Sequence, residues 1–251
     1  CLRRSVVKPF LLLSIRPEQA AADDEYLAFQ RHSGLDSMSL QRVALTAGHL
    51  GPVDLADWSG IILGGGPFNA SDSVKSPLQE RVEDEIFGLL ETVIAEDFPF
   101  LGACYGIGTL GTHSGAVVDK LYAEPVGAID VVLTPEGSVD PLFDGVPSQF
   151  FAYGGHKEAI SQLPQEAVQL ATSASCPVRL RCSSRACSRT DSLDAASPAN
   201  SSASACTVTP STVSSTSGIR PETCWLAPTT ARPSTATRST SSSPPWTTSS
   251  T

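Results

Sequence analysis

The feature that most constrains this chain is a set of three short, uninterrupted apolar runs, Pro9–Ile15, Trp58–Leu63 and Phe98–Ala103, separated by acidic amphipathic stretches. A strand that is apolar along its whole length has no side to offer water, so it belongs in a parallel sheet covered on both faces. None of the runs approaches the roughly 18 residues of a membrane span, and Lys8 to Ile15 is too short for a good signal-peptide core. Between them, Asp23 to Arg31 sets Tyr26, Leu27 and Phe29 among charges, as an amphipathic helix does, and Ser39 to Leu45 alternates like a strand. Ser76-Pro77 supplies a cap and a first-turn proline for a helix in which Val82, Ile86, Leu89, Leu90, Val93 and Ile94 keep helical spacing down to Ala95. Ala128–Thr134, Gln149–Tyr153 and Ala167–Thr172 add three more strands, with Pro135-Glu136-Gly137 as a turn. The expected architecture is α/β: a mostly parallel central sheet with helices on both faces, in three flavodoxin-like layers.

That pattern stops near Thr172. From Ser183 to Thr251 about half the residues are Ser or Thr, with no Lys, His, Phe or Tyr. Too little of that segment is apolar to offset the entropy of ordering it, which predicts a disordered tail over residues 176–251 behind a domain at 7–175. The net charge of −9 therefore sits in the domain, since residues 183–251 have only Asp191, Asp194 and Glu222 against five arginines. An acidic domain repels phosphate backbones, so nucleic acid is not an expected partner, and neither is a membrane. A cytoplasmic location is expected. Of seven cysteines only Cys1 and Cys104 fall in the part read as ordered, and those from Cys176 onward have no framework to staple, so disulfides are not expected.

Cys104 follows directly on an apolar strand and precedes a helix start, Tyr105-Gly-Ile-Gly-Thr-Leu110, with the small residues Gly102, Ala103 and Gly106 around it. A cysteine on such a sharp strand-to-helix turn is lifted above the sheet edge, and the helix N-terminus beside it favours a thiolate. The competing reading is a buried core cysteine. Leu63-Gly64-Gly65-Gly66-Pro67 weighs against it, because a glycine loop ending the neighbouring strand brings backbone N–H groups to the turn, where they would hold the oxyanion formed when a thiolate attacks a carboxamide. The glycines are not followed by Lys-Ser/Thr and do not form Gly-x-Gly-x-x-Gly, so they do not read as a nucleotide loop. No cofactor and no metal site is expected.

At these residues the chain resembles the class I glutamine amidotransferases, in particular stand-alone or GMP-synthase-like members. The resemblance covers about Pro9 to Thr172 and rests on Ile61-Ile-Leu-Gly-Gly-Gly-Pro67, Phe100-Leu-Gly-Ala-Cys-Tyr-Gly106 and Gly155-His-Lys-Glu-Ala159. It implies hydrolysis of glutamine to glutamate and ammonia through a γ-glutamyl thioester, with ammonia passed to a synthase partner. By motif, Cys104 would be the nucleophile, Gly65 and the Tyr105 amide the oxyanion hole, and Gly64, Gly66, Gly108 and His156 the surroundings of the substrate. Two departures stand out. Many relatives carry Gln where this chain has Gly108, which removes a substrate-positioning contact. The base and its orienting carboxylate, a Phe-His-Pro-Glu-like segment after Thr172, are missing, since the four histidines are His32, His49, His113 and His156. His113 reads as a helix-surface residue.

The abrupt change near Val178 has the composition of a GC-rich gene read out of frame, and a genuine Ser/Thr-rich tail is the alternative. The expectation is a glutaminase impaired for want of its acid/base partners. A catalytically silent glutamine- or partner-binding module and a γ-glutamyl hydrolase-like enzyme are the alternatives.

Overall fold

The computed structural model describes residues 8–178, together with the backbone of two short strands, Leu180–Ser183 and Cys206–Val208. Apart from residues 176–178 and those strands, the expected tail lies outside the described residues. In chain order the strands are β1 (Phe10–Ser14), β2 (Leu40–Ala44), β3 (Gly60–Leu63), β4 (Phe100–Ala103), β5 (Val117–Asp119), β6 (Glu124–Leu133), β7 (Gln149–His156), β8 (Ala159–Gln162), β9 (Ala167–Thr172), β10 (Leu180–Ser183) and β11 (Cys206–Val208), with helices α1 (Gln19–Ser33), α2 (Pro77–Ala95) and α3 (Tyr105–His113).

The main sheet runs β2-β1-β3-β4-β11-β10-β9-β6-β7. From β2 through β11 every pairing is parallel, and from β11 outward every pairing is antiparallel. The parallel half is what the uninterrupted apolar runs demanded. Alternate residues of β1 show why: Leu11 and Leu13 join a core with Val82, Ile86, Leu90 and Val93 of α2, while Leu12 joins another with Phe29 of α1. The helices thus cover opposite faces. The three later strand segments form β6, β7 and β9 of the antiparallel half, where Val131, Leu133, Ala152 and Leu170 make a separate small core and Phe151 stays 74% exposed. A two-stranded ribbon of β5 and β8 lies outside the main sheet.

Local signals behave as their chemistry requires. Ser76 Oγ accepts the Gln79 N–H at 3.1 Å, capping α2 ahead of Pro77. Gly34, at φ 70°, ends α1 in the left-handed conformation. The stretch expected as a turn at 135–137 leads into a 3-10 turn at Gly137–Val139. Cys176, placed by the sequence in the unstructured part, is instead fully buried, and its N–H donates to Ser173 Oγ at 3.1 Å. Among the described residues no helix is long and apolar enough to cross a membrane.

Candidate active site

The C-terminal ends of β1, β3 and β4 stand level, with Leu13 opposite Leu63 and Leu63 opposite Gly102. The residues that follow them, Arg16, Gly65–Gly66 and Cys104, therefore meet at one edge of the parallel sheet, where open α/β folds place their ligands. A cleft of about 440 Å³ opens there, lined among others by Arg16, Gly66, Cys104, Gly108, His156 and Glu158.

Cys104 is held on a sharp turn. Its φ of 57° with ψ −106° is a conformation that side chains rarely adopt, reached because β4 passes directly into α3. Glycine makes the passage: a Cβ on Gly102 would lie 2.6 Å from the Gly106 carbonyl oxygen, and one on Gly106 would lie 2.8 Å from that of Leu63. Below the turn, the buried Tyr105 ring meets Phe68 edge-on at 5.9 Å, and its hydroxyl donates to Glu83 Oε1 at 2.7 Å. Glu83 also accepts from Gln79 Nε2 at 2.9 Å and Lys75 Nζ at 2.5 Å. Burial and the Glu83 carboxylate push the Tyr105 phenol far up, so it stays a neutral donor. This network anchors α3 to α2. Tyr105→Phe is expected to cost about 1–3 kcal/mol by leaving Glu83 short of a buried donor, yet to leave Cys104 labelling unchanged, since the Tyr105 backbone remains. Parallel denaturant melts and alkylation rates check both halves.

The cysteine faces the cleft, but protein surrounds the sulfur on its other sides, and this desolvation pushes the thiol pKa up. Arg16 opposes that shift most strongly, Glu25 adds to it, and the backbone N–H groups of Gly66 and Tyr105 lower it. The N-terminus of α3 acts in the same direction as the amides. The amide expected from Gly65 is engaged elsewhere: it donates to Glu25 Oε1 at 2.9 Å, because the buried α1 carboxylate has no water to satisfy it. Gly64 likewise backs onto Glu25, where a Cβ would stand 2.6 Å from Oε2. Gly66, Tyr105, Gly108 and His156 do share the cleft with Cys104, whereas Gly64 and Gly65 lie behind it.

His156 does not point its ring at the sulfur. Its Nε2 lies 2.8 Å from the Tyr122 carbonyl oxygen, and its Nδ1 lies 3.8 Å from Glu124. His49 pairs with Glu85 at 2.6 Å, and His113, at the end of α3, stacks 5.5 Å from Phe87. Glu158, next but one to His156, accepts the Ala70 and Ser71 N–H groups at 2.7 and 2.8 Å. Its carboxylate also fills the space beside Gly108, where a Cβ would lie 2.8 Å from Oε1. Gly108→Gln, a repair by motif, is therefore expected to fail: it must displace a carboxylate tied to two amides, costing about 1–3 kcal/mol without raising glutamine turnover. Faster turnover with an unchanged melting temperature would contradict that geometry. Among the described residues no cluster of three or more His, Cys, Asp or Glu side chains is arranged to hold a metal.

Comparison with known proteins bears on the family and the fold. A glutamine-hydrolyzing GMP synthase of Lactobacillus gasseri is 30% identical over 119 residues, 47% of this chain and 20% of that protein. Its counterpart in Borrelia garinii is 32% identical over 118 residues. The chain thus spans about 20% of the length of the curated relatives it matches. Among solved structures, a glutamine amidotransferase from Thermotoga maritima superposes with a TM-score of 0.57 at 21% identity, covering 70% of this chain and 72% of the other. One from Methylobacillus flagellatus does so with a TM-score of 0.54 at 20% identity, covering 70% and 66%. These two likenesses establish the fold alone. The family model described as glutamine amidotransferase class-I matches residues 38–186, more than half of the chain, which therefore belongs to the class I glutamine amidotransferase family.

Proposed function

We propose that the cleft is a glutamine-hydrolysing site with Cys104 as nucleophile, feeding ammonia to a synthase subunit or domain, and that it turns over slowly. The observation that supports it is the cysteine at φ 57° in a cleft of about 440 Å³ that Gly66 and Tyr105 also line. The thiolate adds to the side-chain carbonyl carbon of glutamine, and the carbonyl electrons move onto oxygen, which the N–H groups of Gly66 and Tyr105 would receive. Collapse breaks the C–N bond and leaves a γ-glutamyl thioester, which water hydrolyses to glutamate and free thiol. The departing nitrogen needs a proton to leave as ammonia, and this is where the site is short. His32, His49, His113 and His156 are the only histidines of the chain, and the one in the cleft is turned to Tyr122 and Glu124. Acid–base help of this kind is worth about 10² to 10⁴ in rate, so thioester formation and ammonia release are both slowed.

The test is incubation of the purified chain with glutamine, followed by acid quench, mass analysis of the Cys104 peptide and an ammonia assay. A γ-glutamyl adduct on Cys104 with slow ammonia release is the expected result. Glutamine binding with neither adduct nor ammonia would instead favour a silent binding module of the same fold.

A further inference from the structure

Arg16 and Glu25 were not marked by any motif, yet they sit nearest the sulfur in charge. Arg16 Nη2 and Cys104 Sγ converge above Gly65, where a Cβ would lie 2.9 Å from the first and 3.3 Å from the second. The guanidinium and the sulfur therefore stand within about 6 Å of each other, the range over which an opposite charge favours a thiolate. Arg16 is not free to wander. Its Nε donates to Glu25 Oε1 at 3.1 Å, and the same oxygen accepts the Gly65 N–H at 2.9 Å, so one carboxylate oxygen ties the arginine to the glycine loop beside the nucleophile.

The expense of this arrangement argues that it is more than glue. Glu25 is 1% exposed, and burial pushes its carboxyl pKa up against the opposing pull of Arg16, the Gly65 N–H and the neighbouring Ser14 hydroxyl. A buried carboxylate costs stability even when paired, and a neutral residue at this α1 position would join helix and sheet more cheaply. Arg16 also lines the cleft, its side chain 15% exposed, so its charge is presented to whatever occupies the site.

We propose that Arg16, fixed by Glu25, is the positioning cation that stabilises the Cys104 thiolate as it forms, supplying the counter-charge that this chain has no histidine to provide. It rests on the reading of Cys104 as nucleophile but not on glutamine as substrate. An arginine keeps its charge at every working pH and so stabilises the anion without taking up or returning a proton. The site is thereby equipped for attack and left without help for the leaving group. The other charged groups turned to the cleft are Glu18, after β1, and Lys157 and Glu158, across it, with His156 beside them.

The test is the pH dependence of Cys104 alkylation by iodoacetamide in the full chain, followed by mass analysis of the Cys104 peptide. Sulfur displaces iodide in one step, an S–C bond replacing the C–I bond, so no acid is needed and glutamine recognition plays no part. Arg16→Gln is expected to move the labelling midpoint to higher pH and to slow labelling near pH 7 about tenfold, with Arg16→Lys recovering part of the loss. Glu25→Gln keeps an acceptor for Arg16 and Gly65 while deleting the negative charge, so its midpoint is expected to move to lower pH. Shifts of the same sign in Arg16→Gln and Glu25→Gln would report a loosened site and overturn the proposal, as would an unchanged midpoint in Arg16→Gln. Loss of glutaminase activity with the opposed shifts intact would overturn the substrate reading and leave this one standing.

Discussion

Cys104→Ala is expected to abolish adduct formation with glutamine and with glutamine-like electrophiles, lowering any ammonia release by about 10³ or more, because a nucleophile and its activating groups act as a unit. The buried Cys176, whose sulfur lies 3.5 Å from the Val178 carbonyl oxygen, is an internal control that should stay unlabelled in the folded protein. The same position carries a second, opposite effect. At φ 57° and ψ −106° the backbone of residue 104 is strained for any side chain, and such strain is worth about 1–3 kcal/mol. Cys104→Gly is therefore expected to be as inert as the alanine variant and yet more stable than the parent, whereas Cys104→Ala keeps the strain. Urea melts of the three proteins measure this directly. A glycine variant no more stable than the alanine variant would mean that the turn is not under load.

A large loss of stability is expected from a single methyl group at Gly106. A Cβ there would lie 2.8 Å from the Leu63 carbonyl oxygen and 3.3 Å from the Leu63 side chain, and Leu63 is fully buried in a paired strand that has nowhere to retreat. Gly106→Ala should destabilise the fold by about 3 kcal/mol, the upper end for an overpacked site. Gly88, in the middle of α2, is the counter-example: nothing lies within 4 Å of its virtual Cβ. Gly88→Ala should stabilise by about 0.5–1 kcal/mol through helix propensity alone. Equal effects of the two substitutions would show that the close approach of β3 and α3 is not the constraint it looks to be.

The contrast between these glycines shows how far a sequence carries. The strand-turn-helix around Cys104 was legible because a continuous apolar run, a cysteine and small flanking residues each require the same turn. Helix α2 was legible to its ends because Ser76, Pro77 and the apolar stripe agree. The three-strand prediction beyond residue 120 found β6, β7 and β9, yet β5 and β8 passed unnoticed, since Val117–Asp119 and Ala159–Gln162 are too short to show a period. Arg16 and Glu25 were overlooked for a different reason. They belong to no motif, and only the fold brings Nη2 of one and Sγ of Cys104 over the same glycine. A signal did exist: Ala22, Glu25 and Phe29 occupy one helical stripe and all are buried, so a carboxylate sat where the pattern called for an apolar residue. Gly65 was assigned a free amide by analogy, and that amide became the partner of the misfit carboxylate.

The order of the sheet has a consequence for how the molecule comes together. β2, β1, β3 and β4 lie within the first part of the chain and pair through short crossovers, so this half can assemble as soon as it is synthesised. β4 gains its other neighbour only from Cys206–Val208, roughly a hundred residues later, and such distant pairing is slow because a long loop must close before it is rewarded. On a nascent chain the strand that carries the thiol would wait with one row of backbone donors and acceptors unpaired, which is the condition that invites pairing with a stranger. In this topology Cys104 is built early and walled in last.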